Sequence, residues 1–535
     1  MIHEQTEEQK KLAEWVIKNY DKLKADRGTW ENHWQELAEY FAPANDQITS
    51  KSTSGEKKNT HLLDSTPQHT NELLASALHS MLTNPSVIWF DMITGDPEAD
   101  KDEAAIAWLQ DSVKRMVEVL NNSNFQTQIH EVYLDLGVPG TGFLEMEEDE
   151  EDVVRFKSEH INKALISEDA KSRIRTVYKI YEFTAMQLME KYGKDKFDEM
   201  FLLQLKNEPM KKYEVIHGVF PNNEFNPFKA AFSNKPYSSV HVLKCKKRLI
   251  KKGGFDEFPF AVPRWSKRSN EMHGRSPAMK ALPDAKMLNE VKRTSIIAAQ
   301  KVIDPTLQAP DEGVVLPLKT APGAINYYRA GTKDRIEPLQ TGSQPGLGMD
   351  FVDAIKMQIR EAFFIDQLQL NEGPQMTATE VLQRTEEKLR MMGPILGRLH
   401  NELLKPIVDR VFGIMKRRGL FDPNVPEILL DKDLQVRYSS MIARAQRATE
   451  ADNLQRVLGV MAPLIQLDPN VMDNINTDET FRYIANLFNL PQEIINSKRK
   501  IEKDRKAKAE MMQQQEDMVA EQHEADVASK LGAIG

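Results

Sequence analysis

The side chains in this sequence best suited to chemistry are twelve histidines, one cysteine and an unbroken acidic run from Glu147 to Asp152. None stands in a spacing that a familiar reaction needs. Two histidines one helical turn apart, the first followed by a glutamate, would hold a zinc ion beside a general base. The pairs His130-Glu131 and His523-Glu524 begin that pattern, but Leu134 and Val527 stand where the second histidine belongs. A phosphate-cradling G-x-x-x-x-G-K-[ST] loop is absent, as are a G-x-G-x-x-G turn after a strand and the G-x-S-x-G elbow of a serine nucleophile. The single cysteine, Cys245, excludes an internal disulfide and a thiolate-rich metal cluster. It reads as a small buried or half-buried hydrophobe rather than a nucleophile. The acidic run has two readings, a solvated turn or a site for a cation or basic partner. The expectation is a protein with no enzymatic activity, metal or cofactor.

Composition narrows the class further. A chain of 535 residues has room for a few domains, and 40% hydrophobic content supports a real core. The formal charge of -9 excludes a globally basic nucleic-acid binder. The opening MIHEQTEEQKK carries no apolar signal segment. No run of about 18 apolar residues is present, so no membrane span is expected.

The elements that would position any site are mostly helical. The clearest lies between Gln375 and Gly419. Thr377 with Glu380 forms a capping box, so a helix starts there. Leu389, Met392, Leu396, Leu399, Leu403, Ile407, Val411 and Ile414 follow at gaps of three and four, which makes one apolar stripe. Gly419 is a stop signal after Arg417 and Arg418. Such a rod spans roughly 60 Å at about 1.5 Å per residue. Pro394 and Pro406 inside it should kink rather than break it.

Upstream, residues 5–42 read as helices anchored by Trp15, Tyr20, Leu23, Trp30, Trp34 and Leu37, followed by a polar loop over 45–60 and further helices over 62–83 and 103–137. Residues 213–267 carry strand-like sequence, including YEVIHGVF and SSVHVLKCKKRLI. Lys246, Lys247, Arg248, Lys251 and Lys252 make the second of these a lysine-protected edge strand or, alternatively, a phosphate contact. Ser276-Pro277 starts a helix that runs to about Val302. Then six prolines and six glycines fall within the 45 residues from Asp304 to Gly348, an irregular insertion before a second helix over 349–365. Residues 441–490 read as helices, and 497–535 as a charged tail that is a marginal helix or disordered on its own.

Three segments resemble the portal, or head-to-tail connector, proteins of short-tailed bacteriophages. They are VIKNYDKLKADRGTWENHWQELAEYFAP (16–43), FPFAVPRWSKRSNEMHGRSPAMKALPDAKMLNEVKRTSIIAAQKVIDP (258–305) and MTATEVLQRTEEKLRMMGPILGRLHNELLKPIVDRVF (376–412). One departure is His273, where an aromatic such as tyrosine is commoner. The resemblance implies an α+β, mainly α-helical portal fold of wing, stem, clip and crown, assembled as a ring around a central channel. By order along the chain it implies a wing over 1–275, stem helices over 276–302 and 349–365, and a clip over 303–348. A tunnel loop would follow over 366–377, a long kinked helix and return strand over 378–440, a crown over 441–496 and a C-terminal tail over 497–535.

The implied function is a structural virion protein at one capsid vertex, assembled in the host bacterial cytoplasm and likewise implied to be twelve-fold. Implied partners are further copies of the chain, double-stranded DNA in the channel, a terminase motor, a tail adaptor, the major capsid and scaffolding proteins, and internal core proteins. The tunnel-loop positions Gln367, Gln369, Asn371, Glu372 and Gln375 offer DNA a polar surface without lysine or arginine. The alternatives are a DNA-packaging enzyme, a motor ATPase or nuclease, which the missing phosphate loop opposes, and a non-viral helical scaffold, which has no need of the Pro/Gly insertion.

Overall fold

The computed structural model describes residues 5–50, 55–58, 60–96, 102–226, 234–308, 336–339, 345–368, 392–430, 434–438, 475–487 and 498–532, with scattered positions between. In chain order come α1 (Glu7–Asp26), α2 (Gly28–Phe41), α3 (Thr66–Leu82), β1 (Phe90–Ile93), α4 (Glu103–Asn122) and α5 (Phe125–Gly137). Next are β2 (Leu144–Asp149), β3 (Val153–Ser158), β4 (Ala164–Glu168), β5 (Ile174–Thr184), α6 (Ala185–Tyr192), α7 (Glu199–Asn207), β6 (Lys212–Pro221), β7 (Tyr237–Leu243), β8 (Arg248–Phe255) and β9 (Phe260–Ala261). Then follow α8 (Pro277–Ile303), β10 (Leu307–Gln308), β11 (Glu337–Pro338), α9 (Pro345–Ala362), α10 (Ile365–Leu368), the helix Lys405–Arg417, β12 (Gln435–Tyr438) and the helices Thr477–Leu487 and Lys498–Gly532.

The chain divides into two compact units, Met1–Pro85 with Leu120–Ile414, and Ser86–Val119 with Met415–Gly535. The first unit is built on an antiparallel five-stranded sheet in the order β4-β5-β6-β7-β8. Its central strand β6 is buried on both faces, which is why YEVIHGVF reads as a nearly continuous apolar run. On one face Ala13, Val16 and Tyr20 of α1 pack against Tyr178, Ile216, Val240 and Val242. Leu188 of α6 and Phe201 and Leu205 of α7 cover the other, against Tyr213, Val215 and Leu243. The alternation of Val215 and Ile216 between these two cores follows from the period of two in a strand.

Three sequence expectations change here. SSVHVLKCKKRLI is not one strand but a hairpin, because Lys244–Lys246 forms a tight turn and Lys247 takes the left-handed conformation. Its second arm, β8, is the sheet edge, and Lys251 and Lys252 lie on it, as edge protection requires. Cys245 sits in that turn and is exposed rather than buried. Partial desolvation holds its thiol above the usual range despite the charge of Lys246, so it is not an activated nucleophile. Trp15 is likewise half out in solvent, resting edge-on against Phe220 at 5.0 Å. The acidic run closes the β2–β3 hairpin, where Asp149 Oδ1 accepts hydrogen bonds from the backbone N–H groups of Glu151 and Asp152. That is the solvated-turn reading.

The helix pair at the N-terminus is broken at Arg27. Its buried guanidinium donates to the carbonyls of Ile161 and Ala164, each at 2.7 Å, and pairs with Glu31. These bonds tie the α1–α2 junction to the start of β4.

The described part of the long helix runs over 392–417. Every stripe residue from Met392 to Ile414 is buried. Residues His400–Leu404 form a π-turn, with the Lys405 N–H bonded to the His400 carbonyl. Two causes converge there. Pro406 has no N–H to give to residue 402, and its ring would crowd that carbonyl in a regular helix. The stripe also runs Leu399, Leu403, Ile407, Val411, and each gap of four drifts about 40° around an α-helix. A wider turn offsets part of that drift. The helix ends as expected: Gly419 has φ +66°, its N–H bonds to the Lys416 carbonyl and the Leu420 N–H to Met415, a Schellman closure.

In the second unit β1 pairs antiparallel with β12, Phe90 opposite Tyr438. Trp108 on α4 donates its indole N–H to the Asp422 carbonyl at 3.1 Å and packs on Phe421. Arg482 pairs with Glu103 at 2.7 Å. The tail expected to be marginal is the 35-residue helix Lys498–Gly532. Among the described residues no helix is long and apolar enough to cross a membrane.

Candidate functional site

The insertion between two helices is the sequence feature least explained by ordinary packing, and in the structure the helices on either side of it form a hairpin. Ser276 caps α8 by accepting from the Met279 N–H at 3.2 Å, with Pro277 at the first position. α8 and α9 pack together, and beyond them β10 pairs with β11, Leu307 opposite Pro338. The antiparallel ribbon brings the ends of the insertion side by side. Most of the insertion lies outside the described residues.

A buried polar frame sets the root of α8. Gly140, with φ +79°, and Gly274 come so close that a Cβ on Gly274 would sit 2.1 Å from the Gly140 carbonyl oxygen. His273, the departure noted above, is buried between Trp30 and Trp34, ring centroids 5.5 and 4.8 Å away. It fills an aromatic position, and burial lowers its pKa to about 3, so it is neutral there. Arg264 is buried beside it in the same segment. It donates from Nε and Nη2 to the Glu402 carboxylate at 3.1 and 2.6 Å, and it also pairs with Glu168. Burial opposes its charge, but these two carboxylates hold its pKa above the usual arginine value. Glu402 lies in the π-turn, so the irregular part of the long helix is bonded to the segment that starts α8.

A second clamp lies halfway along α8. Asn289 accepts from the Leu63 N–H at 2.8 Å and donates to the His61 carbonyl at 3.1 Å. Asp64, in the same loop, lies 3.4 Å from both Lys292 on α8 and Lys356 on α9. Burial works against its charge, but hydrogen bonds from Thr66 and the Lys356 charge lower its pKa overall. One carboxylate is thus shared by a lysine from each helix.

Beyond this clamp the character of α8 changes. Its buried residues stop at Asn289, and after it Ile296 (44% exposed), Ile297 (45%), Val302 (52%) and Ile303 (82%) stand in solvent. On α9, Val352, Ile355 and Ile359 face inward, while Phe351 and Met357 are exposed. The cations of the pair are largely spoken for. Lys286 pairs with Glu36, Lys292 and Lys356 with Asp64, Arg293 with Glu290 and Arg360 with Asp366. Lys280 and Lys301 have no ion pair among the described residues. The hairpin therefore combines unburied apolar surface with little free positive charge.

α9 ends sooner than the sequence suggests. Phe363 is buried against Phe41, with ring centroids 5.5 Å apart, and Phe364 turns left-handed at φ +61°. The break begins α10, so Asp366 and Gln367 belong to a helical turn rather than to a loop. Gln369, Asn371, Glu372, Gln375, Thr377 and Glu380 lie outside the described residues. Pro394 and Pro406 both lie in the described helix, and the π-turn precedes the second. The sequence reading missed Asp64, Asn289, Arg264 and Glu402. An asparagine in the middle of a strong helix was the one local signal that a side chain there was bonded elsewhere.

Among known proteins, residues 13–495 match the family model described as Bacteriophage head to tail connecting protein. The chain is 30% identical to the probable portal protein of Bordetella phage BPP-1, across 99% of this chain and 96% of that one. It is 28% identical to the portal protein of Salmonella phage epsilon15, across 97% and 95%. A chain from the virion of a native gene transfer agent particle covers 77% of this chain and 92% of its own at 12% identity, with a TM-score of 0.37 that carries no weight.

Proposed function

This chain belongs to the bacteriophage head to tail connecting protein family, and from that premise we propose that its copies close into a ring at one vertex of a phage head. It is a structural portal protein. Double-stranded DNA enters the head through the ring during packaging and leaves through it at ejection. The α8–α9 hairpin is the stem, and the insertion it carries is the clip that meets the terminase motor and later the tail adaptor. The segment from Gln367 of α10 onward, with Gln369, Asn371, Glu372 and Gln375, is the narrow part of the channel. Residues 441–496 and the tail form the crown on the head side, toward internal core proteins, while the major capsid and scaffolding proteins meet the ring's outer surface. Assembly takes place in the host cytoplasm, and the ring in the virion has twelve copies.

The observation that supports this most directly is the hairpin. Each unpaired lysine or arginine along a conduit would add a salt-sensitive phosphate contact and slow the DNA. Asp64 is the shared counter-charge of two lysines and cancels part of their pull. The apolar residues beyond Asn289 supply what a neighbouring copy would cover in a closed heterologous ring. Negative-stain images of the purified chain test the reading: rings with a central hole and about twelve-fold symmetry are expected. Monomers with native secondary structure at micromolar concentration would overturn it.

A further inference from the structure

The C-terminal helix Lys498–Gly532 carries a charge division that the conduit reading leaves unused. From Lys498 to Lys508 there are seven lysines and arginines against two acids, and from Ala509 to Gly532 there are six acids against one lysine. In a chain of net charge -9 this is a local concentration of positive charge. The helix sorts these cations. Arg505 is turned to Asp478, which it holds through two bonds of 2.6 and 2.7 Å, so it anchors the helix to Thr477–Leu487. Arg499, Lys503 and Lys506 recur at four and three residues, which places them on one face. All three are exposed, and none has a hydrogen-bond or ion-pair partner among the described residues. Residues 502–515 are exposed all round, so this part of the helix has no side buried against its own chain.

We propose that the face formed by Arg499, Lys503 and Lys506 binds the phosphate backbone of double-stranded DNA, as a contact separate from the channel. The proposal rests on the conduit reading for its choice of polyanion, since that reading brings duplex DNA to the protein. The three cations span about 10 Å of helix axis at 1.5 Å per residue, over which a duplex presents about six phosphate charges at one per 1.7 Å. Contacts to phosphate carry no sequence information, so binding through this face is independent of sequence. A neighbouring copy fits the face less well. Copies side by side in register around a ring would oppose basic half to basic half and acidic half to acidic half. With three contacts the grip is weak enough for DNA to shift along it.

The test uses the full-length assembled chain and a fluorescent 40-base-pair duplex. Anisotropy titrations at 50 and 200 mM salt compare the wild type with the triple variant Arg499→Gln, Lys503→Gln, Lys506→Gln. Three lost contacts should lower the slope of log affinity against log salt by about 2.7, so that fourfold more salt costs the variant about 40-fold less affinity than it costs the wild type. Lys503→Arg with Lys506→Arg should keep wild-type binding, and circular dichroism should be unchanged in every variant. The same slope and affinity in wild type and triple variant would overturn the proposal, as would tighter binding of a single-stranded RNA of equal length. Sedimentation of the same samples reports ring formation separately, so a failure of the conduit reading would be seen independently of DNA binding.

Discussion

Arg264 keeps its charge in a buried site because Glu402 and Glu168 surround its guanidinium. Taking away one member of such a group leaves the others without a counter-charge, a larger loss than removing all of them. Arg264→Ala should lower stability by about 3 kcal/mol, at the low end for buried pairs because both carboxylates keep some solvent. The pair Arg264→Met with Glu402→Met should recover part of that loss, read as the shift of the urea midpoint. His217 and His241 make a different kind of buried pair. Their rings stack at 4.1 Å, with Ser239 on His217, the Tyr192 hydroxyl on His241, and Lys179, Lys191 and Lys251 nearby. Burial first, then His241 and those lysines, hold His217 well below its ordinary pKa; burial and the lysines hold His241 at about 3, and burial with the charges of Arg27 and Arg264 holds His273 at about 3. The unfolded chain takes up protons near the ordinary value of 6.5 while the folded one does not. Stability should therefore be level above that pH and fall as the pH drops toward 3. His241→Gln should flatten this slope in acid denaturation followed by circular dichroism. None of this was legible in the sequence, where scattered histidines and an arginine between a proline and a tryptophan give no hint of burial or partners.

Elements were read more surely than their joints. The stripe on the long helix from Met392 onward, the Ser-Pro start of α8 and the Gly419 stop are local patterns, and each stands in the structure as spacing alone implied, while Leu389 lies outside the described residues. The π-turn was implicit in three successive gaps of four, but choosing between a kink and a wider turn needed the position of Pro406 relative to the buried Leu403. The end of α9 was misplaced because Phe363 and Phe364 read as helix, and only the burial of Phe363 against Phe41 and the packing of Phe364 on Trp265 show why the chain turns there. The clamp on α8 was illegible because Asp64 lies more than two hundred residues from its partners. It carries a functional prediction: Asp64→Asn leaves Lys292 and Lys356 without their shared counter-charge. Rings of that variant should retain duplex DNA more strongly at low salt, and the difference from wild type should vanish as salt rises. Equal retention in a filter-binding assay at 50 mM salt would place these lysines away from the DNA path.

For the whole molecule, order along the chain carried the architecture. Helix, helix and long helix survive in that order as α8, α9 and the 392–417 helix, with the β10–β11 ribbon between the first two. The division into units was not legible, since residues 86–119 join a unit whose remainder begins at residue 415, and proximity in sequence says nothing of such a return. What a single copy leaves unfinished is the far half of the hairpin. Ile296, Ile297, Val302 and Ile303 are exposed on one helix, a cost with no return in an isolated chain. Burying such a side chain fully yields about 1.5–3 kcal/mol, and a closed ring repeats the gain at every interface. An aspartate there would instead have to be desolvated without a partner. Ile296→Asp with Ile297→Asp should therefore shift the sedimenting species from rings to monomers or short arcs while the circular dichroism stays native, because both side chains already face solvent within the subunit. Met287, at the margin of the clamp and only partly exposed, provides the contrast: Met287→Leu should leave the rings intact. Rings of normal size from the double aspartate variant would mean that the subunits meet through another surface and that the hairpin's apolar face is covered by something else.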